Sequence, residues 1–314
     1  MLLMENVFLD LKKSTVDKVQ FALPSGEHFD FWIKRDDLID DLISGNKWRK
    51  LKYNIALASQ KNKDGVITFG GAYSNHLIAT AKACNLANLK SIGIVRGEEL
   101  NEMSNDTLKR CSHFGMKLIF ISRSNYSQRS DYDYQNKIKE EHPNFHLVPE
   151  GGANFYGVIG CQEILKEITT SFDHVFLSAG TGTTSAGVIL SADEKTKIHV
   201  VSALKGDFMR EEVYNKIQLV INDKMEAKNY LENTIFYSDT NFGGYGKWDD
   251  KLIDFANDFF NQTNVKLDVV YTAKTAFKLI ELVKNKKINN RSKVLFIHTG
   301  GLQGNSSIDE NLSY

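Results

Sequence analysis

Two short apolar runs in this chain break into glycine and then into a hydroxyl-rich stretch, and that repeated pattern restricts the fold more than any other feature. Val66-Ile67 leads into Thr68-Phe69-Gly70-Gly71-Ala72-Tyr73-Ser74-Asn75-His76. Val175-Phe176-Leu177 leads into Ser178-Ala179-Gly180-Thr181-Gly182-Thr183-Thr184-Ser185-Ala186-Gly187. Each reads as strand, glycine turn, helix start. Such a turn aims several N–H groups and the positive end of a helix dipole at one spot, which suits a phosphate. Taken singly, either is equally an ordinary βα connection with a Ser or Thr cap. The second run lacks a P-loop lysine and its glycines miss the dinucleotide spacing, so the usual signs of ATP and NAD are missing.

The surrounding pattern alternates strands and helices, as a mostly parallel α/β protein should. Residues 28–34 read as a strand and 47–60 as a helix. Strands at 66–69, 91–95 and 117–121 then precede helices from about 75, at 107–114 and at 134–141. Residues 146–148 lead into a second part with buried strands at 174–178, 199–203 and 294–298. Residues 50–148 form one compact stretch. The Lys-rich run 284–293 reads as a solvated helix end, and the polar segment 222–233 as a surface excursion.

The third feature is Gly45-Asn46-Lys47-Trp48-Arg49-Lys50-Leu51-Lys52. Trp48, Leu51, Ile55 and Ala58 recur at helical spacing as an apolar face, while Lys47, Lys50 and Asn54 share another. Two ammonium groups can therefore converge on one ligand, although a basic, solvated first turn reads the same way. Lysine plus arginine and aspartate plus glutamate both number 39, so no net charge argues for nucleic acid or a membrane surface. Met1 to Lys13 shows no leader pattern, and no run approaches a membrane span. Cys84, Cys111 and Cys161 are widely spaced, which predicts reduced thiols in a cytoplasmic protein, and no histidine spacing predicts a metal.

Together the helix-start lysine, the Ser-Asn-His turn and the Gly/Thr cup resemble the fold-type-II pyridoxal-phosphate enzymes. Within them the chain is similar to the D-cysteine desulfhydrase and 1-aminocyclopropane-1-carboxylate (ACC) deaminase family. The resemblance includes Ile33-Lys34-Arg35-Asp36-Asp37, Pro149-Glu150-Gly151-Gly152-Ala153-Asn154 and Tyr245-Gly246. Asp268-Val269-Val270-Tyr271-Thr272-Ala273-Lys274 and His298-Thr299-Gly300-Gly301 complete it. It implies two α/β domains, each an open, mostly parallel sheet flanked by helices. Residues 1–49 and 149–314 would form a large domain and 50–148 a small inserted one, with pyridoxal 5'-phosphate in the cleft. A homodimer acting on a small amino acid is implied as well.

The same resemblance assigns roles. Lys47 forms the Schiff base, for which burial and the helix start must lower its pKa, and then moves the Cα proton. Gly180, Thr181, Gly182, Thr183 and Thr184 hold the phosphate, with Lys50 as a charge partner. Asn75 meets the ring oxygen of the cofactor. Ser74 and His76, with Asn75, face the substrate carboxylate, although a helix-start histidine satisfied by backbone reads equally well for His76, and Ser74 is also a candidate base or nucleophile. Tyr245 and Tyr271 stand over the cofactor as catalytic residues. Departures from the family pattern are Ser44 for glycine, Tyr73 for glutamine, Cys161 for an aromatic, and the missing proline after Tyr245-Gly246.

ACC deaminases follow the tyrosine equivalent to Tyr271 with glutamate and carry leucine in their His-x-Gly-Gly motif. This chain has Thr272 and Thr299. A neutral hydroxyl beside the pyridine nitrogen makes a weaker electron sink than a carboxylate does. That suffices for a β-thiolate leaving group, with a conjugate-acid pKa of about 8.5. The pattern predicts β-elimination, D-cysteine giving pyruvate, ammonia and sulfide. ACC deamination, another D-amino-acid ammonia-lyase or racemase activity, and ligand binding without turnover are the alternatives.

Overall fold

The computed structural model describes residues 9–43, 45–306 and 308–314. The departure at Ser44 and most of the segment Met1 to Lys13, in which no leader pattern is read, lie outside them. After strands β1 (Val16–Ala22) and β2 (His28–Lys34), helix α1 (Asn46–Gln60) begins the alternation. It continues with β3 (Gly65–Gly71), α2 (Asn75–Leu86), β4 (Lys90–Arg96), α3 (Asp106–His113) and β5 (Met116–Ile121). Two helices, α4 (Arg123–Ser127) and α5 (Tyr132–Glu141), precede β6 (Phe145–Val148). Next come α6 (Phe155–Lys166), β7 (His174–Ala179), α7 (Thr183–Ser191) and β8 (Lys197–Ser202). The chain ends through α8 (Met209–Ile217), α9 (Lys224–Asn229), β9 (Thr234–Tyr237), α10 (Asp250–Thr263), α11 (Thr272–Lys284) and β10 (Val294–Ile297).

Two sheets result. One runs β5-β4-β3-β6 and is parallel throughout; the other runs β1-β2-β10-β7-β8-β9 and is parallel except for β1, which pairs antiparallel with β2. Parallel strands covered on both faces need apolar residues on both, and β3 and β10 are buried at nearly every position. The fold is therefore the α/β class that the sequence predicts. Strand β1 and the four-residue β9 carry little sequence signal because both lie at sheet edges and alternate in exposure. The segment 222–233 is more than a surface excursion. It holds α9, and Ala227 and Leu231 are buried against the core beside α8. Among the described residues no helix is long and apolar enough to cross a membrane.

Helix α1 connects the two sheets. Trp48, Leu51, Ile55 and Ala58 pack with Val66, Ala79 and Val148, so the face read from spacing is a real core face. Truncating such a buried aromatic or aliphatic side chain costs about 2–5 kcal/mol. Its opposite side meets α6, where a Cβ on Gly160 would fall 1.8 Å from the Arg49 carbonyl oxygen. Arg49, with no exposed surface, reaches Asp36 at 2.9 Å and Glu167 at 2.8 Å, and Lys34 reaches Glu167 at 3.0 Å. The Lys-Arg-Asp-Asp motif thus clamps α1 to α6. Removing one partner from a buried network of this kind costs roughly 3–5 kcal/mol.

Candidate active site

Lys47 sits in the first turn of α1 because Gly45 lets the chain enter at φ 55° and ψ −120°. No other residue fits there: a Cβ on Gly45 would lie 2.2 Å from the carbonyl oxygen of Thr299. The same carbonyl accepts from the Asn46 N–H at 3.3 Å, fixing the His298-Thr299-Gly300-Gly301 segment beside the lysine. Asn46 then joins two parts of the site. Its Oδ1 accepts from Lys47 Nζ at 2.8 Å, and its Nδ2 donates to Thr184 Oγ1 at 3.0 Å. Burial, and next the charge of Lys50, bring the Lys47 ammonium from 10.5 down to about 7.

The glycine cup lies at the start of α7. Gly182 caps that helix in the left-handed conformation with no side-chain cap, leaving the N–H groups of the first turn directed at the space before it. Thr181 and Thr183 hydroxyls are 3.1 Å apart, and a Cβ on Gly151 would lie 2.8 Å from Thr181 Cγ2. The next residue, Gly152, approaches Lys50 equally closely. Lys50 is 5% exposed and makes no ion pair among the described residues. Burial lowers its pKa. A buried cation without a counter-ion, next to unfilled helix N–H groups, is a seat for a phosphate. Asn54 does not join it; its side chain bonds Asn154, His146 and the Lys50 carbonyl.

At the other glycine turn, Ser74 caps α2, its Oγ accepting from Leu77 N at 3.3 Å. The cap uses Oγ as an acceptor and leaves its proton free, so the hydroxyl can still donate a hydrogen bond. Asn75, partly buried, approaches Gly301. His76 differs from the sequence reading. Thr68 Oγ1 donates to the Val148 carbonyl at 2.7 Å and therefore accepts from His76 Nε2 at 2.9 Å. That leaves Nδ1 a buried acceptor without a partner. Burial, then Lys47 and Lys50, bring this histidine down to about 3. A neutral ring presenting an acceptor cannot hold a carboxylate; it can orient an N–H group. Tyr73 is 72% exposed, and Cys161 is buried where α6 touches Gly187 of α7.

Tyr271 precedes α11 and lies against the cup; a Cβ on Gly180 would meet its ring at 3.2 Å. Burial, and next Tyr245, push its phenol well above the usual value, so it stays protonated as a donor. The Tyr245 ring stands edge-on to it at 5.9 Å. Thr299 is buried and Thr272 has no exposed surface. The Thr272 hydroxyl donates to Asp268 Oδ1 at 2.8 Å and accepts from Asp268 N at 2.8 Å. Thr272 is thus committed to a buried carboxylate that burial shifts upward.

Sequence reasoning passed over Asn46, Asp268 and Lys274. Lys274, with no exposed surface, donates to the carbonyls of Asn241 at 2.8 Å and Gly244 at 2.9 Å, tying down the loop that carries Tyr245. All three stand inside the motifs, but their partners are distant in sequence, and no spacing rule reveals them.

Over residues 21–300 the chain matches the family described as pyridoxal-phosphate dependent enzyme. The chain belongs to that family. Its cofactor is pyridoxal 5'-phosphate, consistent with the uncompensated charge of Lys50 beside the glycine cup. A bifunctional D-cysteine desulfhydrase/ACC deaminase from Arabidopsis thaliana is 33% identical, covering 90% of this chain and 74% of that protein. A protein from Thermotoga maritima called a putative ACC deaminase is 31% identical, covering 91% and 94%. The crystal structure of an ACC deaminase homologue superposes with a TM-score of 0.77 at 26% identity, covering 99% and 97%.

Proposed function

We propose that this enzyme catalyses β-elimination and deamination of a small amino acid, with D-cysteine and water giving pyruvate, ammonia and sulfide. The observation that carries the reading is Lys47, an amine brought to about 7 and held by Asn46 against Thr184. An amine that is half neutral near pH 7 can both attach a carbonyl and accept a proton. When bound, pyridoxal 5'-phosphate supplies the electron sink that makes a Cα–H bond acidic.

The protein supplies the rest. Gly180 to Thr184 and Lys50 hold the phosphate, and Asn75 reads the ring oxygen. Ser74 and Asn75 receive the substrate carboxylate. Lys47 takes the Cα proton. Tyr271, kept protonated, orients the leaving group together with Tyr245, while Thr299 meets the ring nitrogen. Residues 1–49 with 149–314 and residues 50–148 act as two domains that exclude water between them. A homodimer in the cytoplasm completes the reading; it rests on the resemblance and on three free, buried cysteines.

ACC deamination is the second reading, favoured by the names of the relatives. The decisive comparison is 2-oxobutyrate from ACC against pyruvate plus sulfide from D-cysteine. Faster 2-oxobutyrate release would overturn the first reading. Borohydride should fix a cofactor-sized mass on Lys47, and its appearance on Lys50 would sink the lysine assignment.

A further inference from the structure

Strands β3 and β4 end in register, Gly71 beside Arg96, at the carboxyl edge of the smaller sheet. Ligands of open parallel sheets bind beyond this edge. The turn that follows Gly71 carries Ser74, and the Arg96 guanidinium lies 3.9 Å from where a Cβ on Gly71 would stand. It also lies 6.0 Å from the Tyr126 ring. The nearby carboxylate of Glu150 is occupied: it accepts from the Tyr126 hydroxyl at 2.6 Å and pairs with Arg129. The Arg96 side chain is exposed and, among the described residues, makes no hydrogen bond or ion pair. Glu150 precedes Gly151, which touches Thr181 of the cup, and Gly180 of the same cup touches Tyr271. Through Tyr126 and Glu150, Arg96 therefore stands at the sheet edge between the Ser74 turn and the residues that lead into the cup.

We infer that Arg96 is a specificity residue for a negatively charged substituent on the substrate side chain, such as a thiolate or a phosphate. The inference rests on the proposed site, because it follows from which groups remain. Lys50 and the cup take the cofactor phosphate, Lys47 the amine and its Cα proton, and Ser74 and Asn75 the carboxylate. The side-chain end is then left to Tyr245, Tyr271 and Arg96. During elimination the Cα–H proton passes to Lys47, the freed pair forms the Cα–Cβ double bond, and the Cβ–S pair leaves on sulfur. A planar guanidinium with free donors suits that anion before and after the bond breaks.

The test titrates the holoenzyme with O-phospho-D-serine and with D-serine and follows the cofactor absorbance change, which needs no turnover. Wild type should bind the anionic ligand at least about tenfold more tightly. Arg96→Ala should abolish that ratio and Arg96→Lys should restore part of it. Raising salt from about 50 mM to about 500 mM should compress the wild-type ratio. Equal affinities in wild type, or an equal loss for both ligands in Arg96→Ala, would overturn the inference. Pyruvate release is measured in parallel. Its failure with an intact affinity ratio would sink the elimination reading and leave the role of Arg96 standing.

Discussion

Around Lys47 each neighbour is locked to another: Gly45 touches Thr299, Asn46 spans to Thr184, Gly151 meets Thr181 and Gly152 meets Lys50. Tyr245, by contrast, is 55% exposed on a loop in which Phe242, Gly243, Gly244 and Gly246 are all left-handed. Two carbonyls held by Lys274 tie that loop to α11. The lysine wall is rigid through backbone contact, and such contact tolerates no added atom. The tyrosine wall is positioned by a few hydrogen bonds, so it can vary while the cofactor seat stays fixed. On this view cofactor binding and substrate choice are separable properties.

The largest effect should come from Gly45→Ala. The new Cβ would overlap the Thr299 carbonyl at a φ unfavourable for alanine, a loss of about 4 kcal/mol or more. Thermal unfolding and cofactor absorbance should fall together, and a variant that unfolds normally with full cofactor would break the account of this wall.

Next comes Thr272→Glu, the change that would imitate the ACC deaminases. It places a second carboxylate against Asp268, which has no exposed surface, and loses the hydroxyl that serves it. A cost of about 3 kcal/mol is expected in urea unfolding, shrinking as pH falls and the carboxyls are neutralised. If stability is unchanged, Asp268 is better solvated than its burial indicates.

Lys274→Met sharpens the comparison between the walls. It leaves the Asn241 and Gly244 carbonyls without their donor, each worth roughly 1–3 kcal/mol. Proteolysis within residues 239–248 should accelerate and kcat/KM should drop about tenfold, while cofactor occupancy holds. Loss of cofactor in step with activity would show that the two walls are coupled.

The smallest effect at any one step is a pH slope, at most about 1.4 kcal/mol per pH unit. Folded Lys47 titrates at about 7 and the unfolded side chain near 10.5, so the unfolded chain binds more protons between those values. Stability of the cofactor-free protein should therefore rise with pH across that window, and Lys47→Met should remove the slope. An unchanged slope would place the amine in water.

The alternation of strands and helices, the two glycine turns and the apolar face of α1 were all legible, since each depends on residues close in the chain. Local order also marked Lys47 as a helix-start amine. Edge strands β1 and β9 were not legible, because half-exposed edges carry no distinct pattern. His76 illustrates the boundary: its helix-start position was readable, but Thr68 and Val148, which decide its tautomer, come from other strands. Thr272 reads as a neutral substitute for glutamate, and the fold binds it to Asp268 one helical turn earlier. The sequence by itself determined the parallel α/β class, the helix-start lysine and the glycine cup, because periodicity and turn chemistry act over a few residues. Tertiary structure alone decided which charges are left without partners, Lys50 and Arg96 among them, because charge balance is set by neighbours that only folding brings together.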